Sequence, residues 1–368
     1  MNYLWKVTTL LALLFAYAFA YFQHHEPRRE FFYVGGEYVN LTVGNTSAQF
    51  MINQIYVEKL IPPTVTKKYP IVFIHGAGQT ATNFLDTPDG RPGWSSYFLS
   101  QGYIVYLSDQ PSRGRSPWLP SIGNMIAFST ADIENLFTAT SSHNQWPQSR
   151  LHTQWPGTGK AGDRIFDRFY ATQIQLQADE LISEAQNAKA YTALLDIIGT
   201  AHLITHSQSG PYGWRIADLR PSLVESIVAL EPGGPPFEGK PPFIGIPRPW
   251  GITYHEVLYE PSAGPNGTLL QTVRVPAKDA NSTDCIMQSA PAKKLVNLAQ
   301  VPVLVVTGEA SYHVPYEYCT LEYLRQAGVK VDFINLGEVG IHGNGHMFFM
   351  EKNNLEIADK VSTWLQTL

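Results

Sequence analysis

The chain has 368 residues, 44% of them hydrophobic and only 15% charged, which excludes an intrinsically disordered protein. Its 26 basic and 31 acidic residues leave a net charge of −5, and with no Lys/Arg run there is no electrostatic footprint for nucleic acid. Two cysteines, Cys285 and Cys319, are too few for a disulfide scaffold or a Cys-rich zinc site.

The N-terminus reads as a signal peptide. Lys6 closes a short polar start, the apolar run from Val7 to Ala20 is shorter than the ~20 residues needed to span a bilayer, and Ala18-Phe19-Ala20 supplies small residues at cleavage spacing. Residues 1–20 are therefore set apart from the fold; an uncleaved anchor, lengthened by Tyr21 and Phe22, is the alternative. Sequons at Asn40, Asn45, Asn266 and Asn281 agree with a secretory route. In an oxidising compartment Cys285 and Cys319 are expected to pair.

Strand and helix patterns then alternate. Phe31–Leu41 and Phe50–Leu60 read as strands. Ile71–Ile74 is a continuous apolar run, the mark of a strand buried on both faces. Tyr103–Leu107, His202–Ile204, Ile227–Leu230, Val301–Val306 and Val331–Leu336 follow. Helical patterns lie at Ile174–Ala185, Ala190–Ile198, Gln208–Leu219, Tyr316–Gln326 and Asn354–Leu368. This alternation predicts an α/β fold with a doubly wound, mostly parallel sheet. Two connections, about 111–172 and about 232–300, are too long for ordinary loops and too rich in aromatic residues for disorder; they are expected to cap one end of the sheet.

Thr205-His206-Ser207-Gln208-Ser209-Gly210 stands between a strand pattern and a helix pattern, the context of a nucleophile elbow. Thr205 and Ser209 occupy the small flanking positions where glycines are usual. Ser209 competes as nucleophile, but His206-Ser207-Gln208 aligns with the common Gly-His-Ser-Gln-Gly form, which favours Ser207. His75-Gly76-Ala77-Gly78 ends the buried strand, where a serine hydrolase donates one oxyanion N–H; Ala77 (or Gly78) and Gln208 are the candidate donors. Gly76-x-Gly78-x-x-Ala81 also matches a dinucleotide fingerprint, but Asp89-Gly90-Arg91-Pro92-Gly93 breaks the helix that should follow. Asp109 to Ser116 forms a polar loop after the next strand. Near the C-terminus, His342 and His346 lie on a Gly-rich loop before the last helix. The Gly-His-apolar-apolar pattern favours His346 as base, and no Glu of a His-Glu-x-x-His zinc site accompanies the pair. Glu231 and Glu309 each follow a strand and each give the chain order Ser, acid, His.

Taken together, Thr87 to Trp94, Tyr97-Phe98-Leu99, Arg113 to Ser116, His206 to Gly210, Glu231-Pro232-Gly233, His342 to Met347 and Asn353-Asn354-Leu355 resemble the α/β-hydrolase superfamily. More narrowly, they are similar to secreted bacterial esterases with fungal relatives. The resemblance implies a Glu acid on the Glu-Pro-Gly strand, hence Glu231. It departs in the oxyanion loop, where Ala77-Gly78 replace two adjacent cysteines. The expectation is a secreted serine esterase with a Ser207–His346–Glu231 triad and an acyl-enzyme intermediate. It would act on a small-molecule ester, with no cofactor, no metal, no nucleic acid and no stable membrane span after signal cleavage. A scaffold that has lost hydrolysis and serves binding or biosynthesis is the alternative from another class.

Overall fold

The computed structural model describes residues 27–368, so the expected signal peptide lies outside the described residues. Strands β1 (Arg28–Val43) and β2 (Thr46–Ile61) form a long antiparallel hairpin. After them come β3 (Ile71–Ile74), β4 (Val105–Asp109), β5 (Ala201–His206), β6 (Val224–Leu230), β7 (Val303–Thr307) and β8 (Val331–Asn335). They make one eight-stranded sheet in the order β1-β2-β4-β3-β5-β6-β7-β8. β2 runs antiparallel to β4, and every pairing from β4 to β8 is parallel.

The continuous apolar runs are explained by helices on both faces. In β3, Val72 and Ile74 enter one core with Tyr191, Leu194 and Trp214, whereas Ile71 and Phe73 enter the other with Trp94, Phe98 and Val361. Alternate residues of a strand point to opposite faces, so both sets must be apolar. Helices α1 (Trp94–Ser100) and α6 (Asn354–Leu365) cover one face; α3 (Glu180–Ile198), α4 (Ser209–Leu219) and α5 (Glu317–Gln326) cover the other. A short helix, α2 (Arg164–Tyr170), lies in the first long connection.

Two helical segments expected at Ile174–Ala185 and Ala190–Ile198 are one helix, α3, which starts later. Asp179 caps it by accepting from the N–H groups of Leu181 and Ile182, while Leu176–Gln177 is extended and pairs with Met125–Ile126. The residues between the two expected segments are absorbed inside the helix, where Asn187 is buried and donates to the Ser183 carbonyl.

The chain runs from β3 outward to β4, then returns to the other side of β3 as β5. Ligands of open parallel sheets bind at the carboxyl ends of strands beside such a reversal. The turns after β3 and β5 therefore meet at the natural place for a site.

Candidate active site

Ser207 follows β5 with φ +54°, a left-handed conformation that is costly for a residue with a Cβ, roughly 1–3 kcal/mol. Neighbouring backbone holds it there. Its N–H donates to the Leu230 carbonyl (3.0 Å), and its carbonyl accepts from Gly210 (2.9 Å) and Gly233 (2.8 Å). Gly210 is required for this closeness, because a Cβ there would stand 2.4 Å from Cβ of Pro232. The strand-to-helix turn thus projects Ser207 into the cleft.

Ser209 is fully buried and points the other way. Its hydroxyl donates toward the Ile74 (2.7 Å) and His206 (2.9 Å) carbonyls and accepts from the His206 N–H (2.8 Å). It pins helix α4 to β3 and β5, the role a small flanking residue serves. Ser209→Ala should leave kcat unchanged while lowering stability by about 1–3 kcal/mol, the cost of orphaning buried hydrogen-bond partners. Urea unfolding beside steady-state kinetics checks both halves.

Glu231 ends β6, fully buried, also with a positive φ of +46°. Its Oε1 accepts from the Gly308 N–H at 2.7 Å. Its Oε2 accepts from Ser311 Oγ at 2.6 Å and lies 2.5 Å from His346 Nδ1. Burial pushes this carboxyl up, while the hydrogen bonds from Ser311 and Gly308 to its charged form pull it back toward the carboxylate. Burial likewise holds His346 well below the usual histidine range. With Nδ1–H directed at Glu231, the neutral imidazole turns Nε2 toward the cleft as an acceptor.

Glu309 and His342, the competing acid and base, pair with each other outside this centre. His342 Nδ1 lies 2.9 Å from Glu309 Oε1, Glu309 Oε2 accepts from the Gly343 N–H at 2.8 Å, and His342 is 66% exposed. Their contact shapes the loop that carries His346.

Ala77 and Gln208 both border the cleft, and their N–H groups make no backbone hydrogen bond to another described residue. Gln208 immediately precedes helix α4, whose N-terminal dipole adds positive potential there. The loop from Asp109 to Ser116 fixes both donors. Arg113, fully buried, donates to the Gly76 carbonyl (2.9 Å) and to the Gln208 side chain (2.6 Å), and Asp109 accepts from the Ala81 N–H (3.1 Å). Gly76 to Ala81 leads into a single 3-10 turn, Ala81–Phe84, and not into the long helix that a dinucleotide site needs.

Several site residues were not singled out in the sequence. Tyr312 and His313 follow β7 and border the cleft. The Tyr312 hydroxyl lies 3.1 Å from His346 Nε2. The His313 ring stacks on His346 at 5.2 Å and bonds Glu317 through Nδ1 at 2.7 Å. Behind the base, His152 lies 2.7 Å from Glu351, and Glu351 accepts from the Gly345 N–H and the Asn344 side chain. No local pattern singles out Tyr312, which lies in the loop beyond β7, and no spacing rule links His152 to Glu351.

The cleft holds about 1010 Å³ of open space counted out to its mouth. Ile126, Phe128 and Phe137 come from the first long connection, and Phe243, Arg248 and Tyr254 from the second. Trp146 and Trp155 do not face it. Trp146 donates to the Ala310 carbonyl (2.9 Å), and Trp155 packs on Phe169. Cys285 and Cys319 are joined as a disulfide, tying the second connection to helix α5. The sequon residues Asn40, Asn45, Asn266 and Asn281 are all exposed. Among the described residues no helix is long and apolar enough to cross a membrane.

The model of the Alpha/beta hydrolase family matches residues 71–360. A protein named "Probable secreted lipase phiG", from Fungal sp. (strain ATCC 74256), is 63% identical over 350 residues, 93% of each chain. A solved structure described as a novel bacterial esterase superposes with a TM-score of 0.62 at 24% identity, covering 93% of this chain and 96% of that one.

Proposed function

The chain belongs to the alpha/beta hydrolase family, and from that footing we propose that it is a secreted serine hydrolase that cleaves carboxylic esters. One observation carries the reading: Ser207, His346, Ala77 and Gln208 line one cleft, and Glu231 is bonded to His346 behind it. The name of the fungal relative supports both ester chemistry and secretion.

In this mechanism Ser207 Oγ attacks the acyl carbon as its proton leaves toward His346. Glu231 stabilises the imidazolium that forms. The Ala77 and Gln208 N–H groups receive the oxyanion. The proton then goes to the departing alcohol, and water repeats the sequence to release the acid. The two long connections serve as the cap whose aromatic side chains hold the acyl chain. Labelling with a fluorophosphonate and locating the adduct by peptide mass tests the assignment: an adduct on Ser207 is expected, and an adduct elsewhere overturns it.

The cap assignment has its own consequence. Phe128→Ala and Phe243→Ala should lower kcat/KM for decanoate esters about tenfold more than for acetate. Removing one aromatic wall forfeits a part of the ~1.5–3 kcal/mol its burial contributes, and 1.4 kcal/mol is a factor of ten. A chain-length series of nitrophenyl esters measures the difference.

A further inference from the structure

Phe128, Phe137 and Phe243 make an apolar wall of the cleft, and the Phe137 ring lies on that of His346 at 5.3 Å. Three side chains of another kind line the same cleft and take no part in the mechanism above: Glu180, Arg248 and Tyr254. Glu180 opens helix α3 and is half-buried. It accepts from Gln208 Nε2 at 3.4 Å, and that amide is turned this way because Arg113 donates to its Oε1 at 2.6 Å. One turn further along α3, the buried Glu184 accepts from the Tyr254 and His255 N–H groups, both at 2.8 Å. The second long connection is thereby seated against the start of the helix that carries Glu180.

Arg248 is only 4% exposed. It donates to the Tyr254 hydroxyl at 3.2 Å and to the Pro235 and Glu238 carbonyls. The Glu238 carboxylate is turned elsewhere, to Lys240 at 2.7 Å and Arg274 at 3.3 Å. Among the described residues neither Arg248 nor Glu180 is in an ion pair, with each other or with any other group. A buried charge without an ionic partner is costly unless hydrogen bonds compensate it. A cation and an anion thus line one cleft unpaired, and the Tyr254 oxygen, already an acceptor, keeps its own proton to give. None of this serves a plain alkyl ester. A methylene chain would strip water from both charges and return no hydrogen bond.

Resting on the ester-hydrolase reading above, we propose that Glu180, Arg248 and Tyr254 form a subsite for a neutral hydroxylated group, so that the enzyme selects esters bearing hydroxyls over plain alkyl esters. A hydroxyl both gives and takes a hydrogen bond. It donates to Glu180 and accepts from Tyr254 or Arg248, which matches a subsite that holds both signs of charge and no net charge. A carboxylate in its place would meet the Glu180 charge, and an ammonium the Arg248 charge. The same chemistry reads a hydroxyl in the acyl part or in the alcohol part of the ester, and the two arms of the test tell these apart.

The test is kcat/KM on matched pairs of esters: propyl against dihydroxypropyl butanoate for the alcohol arm, and nitrophenyl hexanoate against its ω-hydroxy form for the acyl arm. A hydrogen bond to a charged group is worth about tenfold or more, so the hydroxylated ester should be favoured by about that factor in at least one arm. In Glu180→Leu and in Tyr254→Phe the same ratio should fall at least about threefold, whatever the absolute rates. A wild-type ratio below threefold in both arms overturns the subsite and needs no variant at all. A ratio that both variants leave unchanged overturns it too, as does a carboxylated ester that outcompetes the hydroxylated one. Should no ester be turned over, or the fluorophosphonate sit on a residue other than Ser207, the ester-hydrolase reading fails and the subsite falls with it.

Discussion

Ser207→Ala should abolish ester hydrolysis, lowering kcat on the order of a millionfold while the protein stays folded. Losing the nucleophile of a triad has a cost of that size because the rest of the machinery acts only through it. The fold should survive, because the side chain is not part of the core. Backbone groups hold the elbow, through the Ser207 N–H to Leu230 and the Ser207 carbonyl to Gly210 and Gly233. Alanine at φ +54° retains the strain of serine without adding to it. Turnover of a nitrophenyl ester beside a thermal unfolding curve gives the answer. A variant that keeps more than a trace of activity with Ser207 gone would move the nucleophile elsewhere.

Glu231→Gln should lower kcat by about 10⁴-fold, the size of the comparable Asp-to-Asn change in a serine protease. Every partner of this carboxylate is a donor: Gly308 N–H to Oε1, and Ser311 O–H and His346 N–H to Oε2. A glutamine offers one acceptor and one NH₂. Whichever way it turns, its NH₂ meets a donor. Set against Gly308, it costs the loop. Set against His346, it drives the imidazole into the tautomer with a proton on Nε2, which cannot act as base. Glu309→Gln should leave kcat nearly unchanged, since its partner His342 is largely exposed and outside the cleft. Parallel kinetics on the two variants decide which glutamate acts, and a near-normal kcat for Glu231→Gln would end its claim.

The sheet was legible because its strands are buried on both faces. Ile71–Ile74 and Val301–Val306 read as strands from apolar continuity alone, and the structure has β3 and β7 there. Ser207 and Glu231 were legible for a different reason, since each sits where a strand ends and a turn begins, and His346 was legible from the Gly-rich loop that precedes the last helix. Helix α3 was not legible as one element, because its buried face carries Ser183, Glu184 and Asn187 while Leu181, Ile182 and Ile197 are exposed, so no single apolar stripe marks its extent. Tyr312 and His313 are ordinary aromatic residues until folding stacks them against His346. The pairing of His152 with Glu351 is set by tertiary packing, and nothing local announces it.

That last contact bears on when the molecule becomes active. His152 and Glu351 are 199 positions apart, and Glu231 and His346 are 115 apart. Contacts of such separation are expensive to close and slow to form. A chain made only as far as residue 345 would already contain the serine, the acid and both oxyanion amides, yet it would lack the base. Nor would a folded N-terminal portion suffice, because Glu351 is what holds the Asn344 side chain and the Gly345 N–H in place for the histidine that follows. On the proposed mechanism the order of synthesis thus acts as a timer: chemistry switches on only when the segment that carries His346 and Glu351 has been made and has closed onto Glu231 and His152.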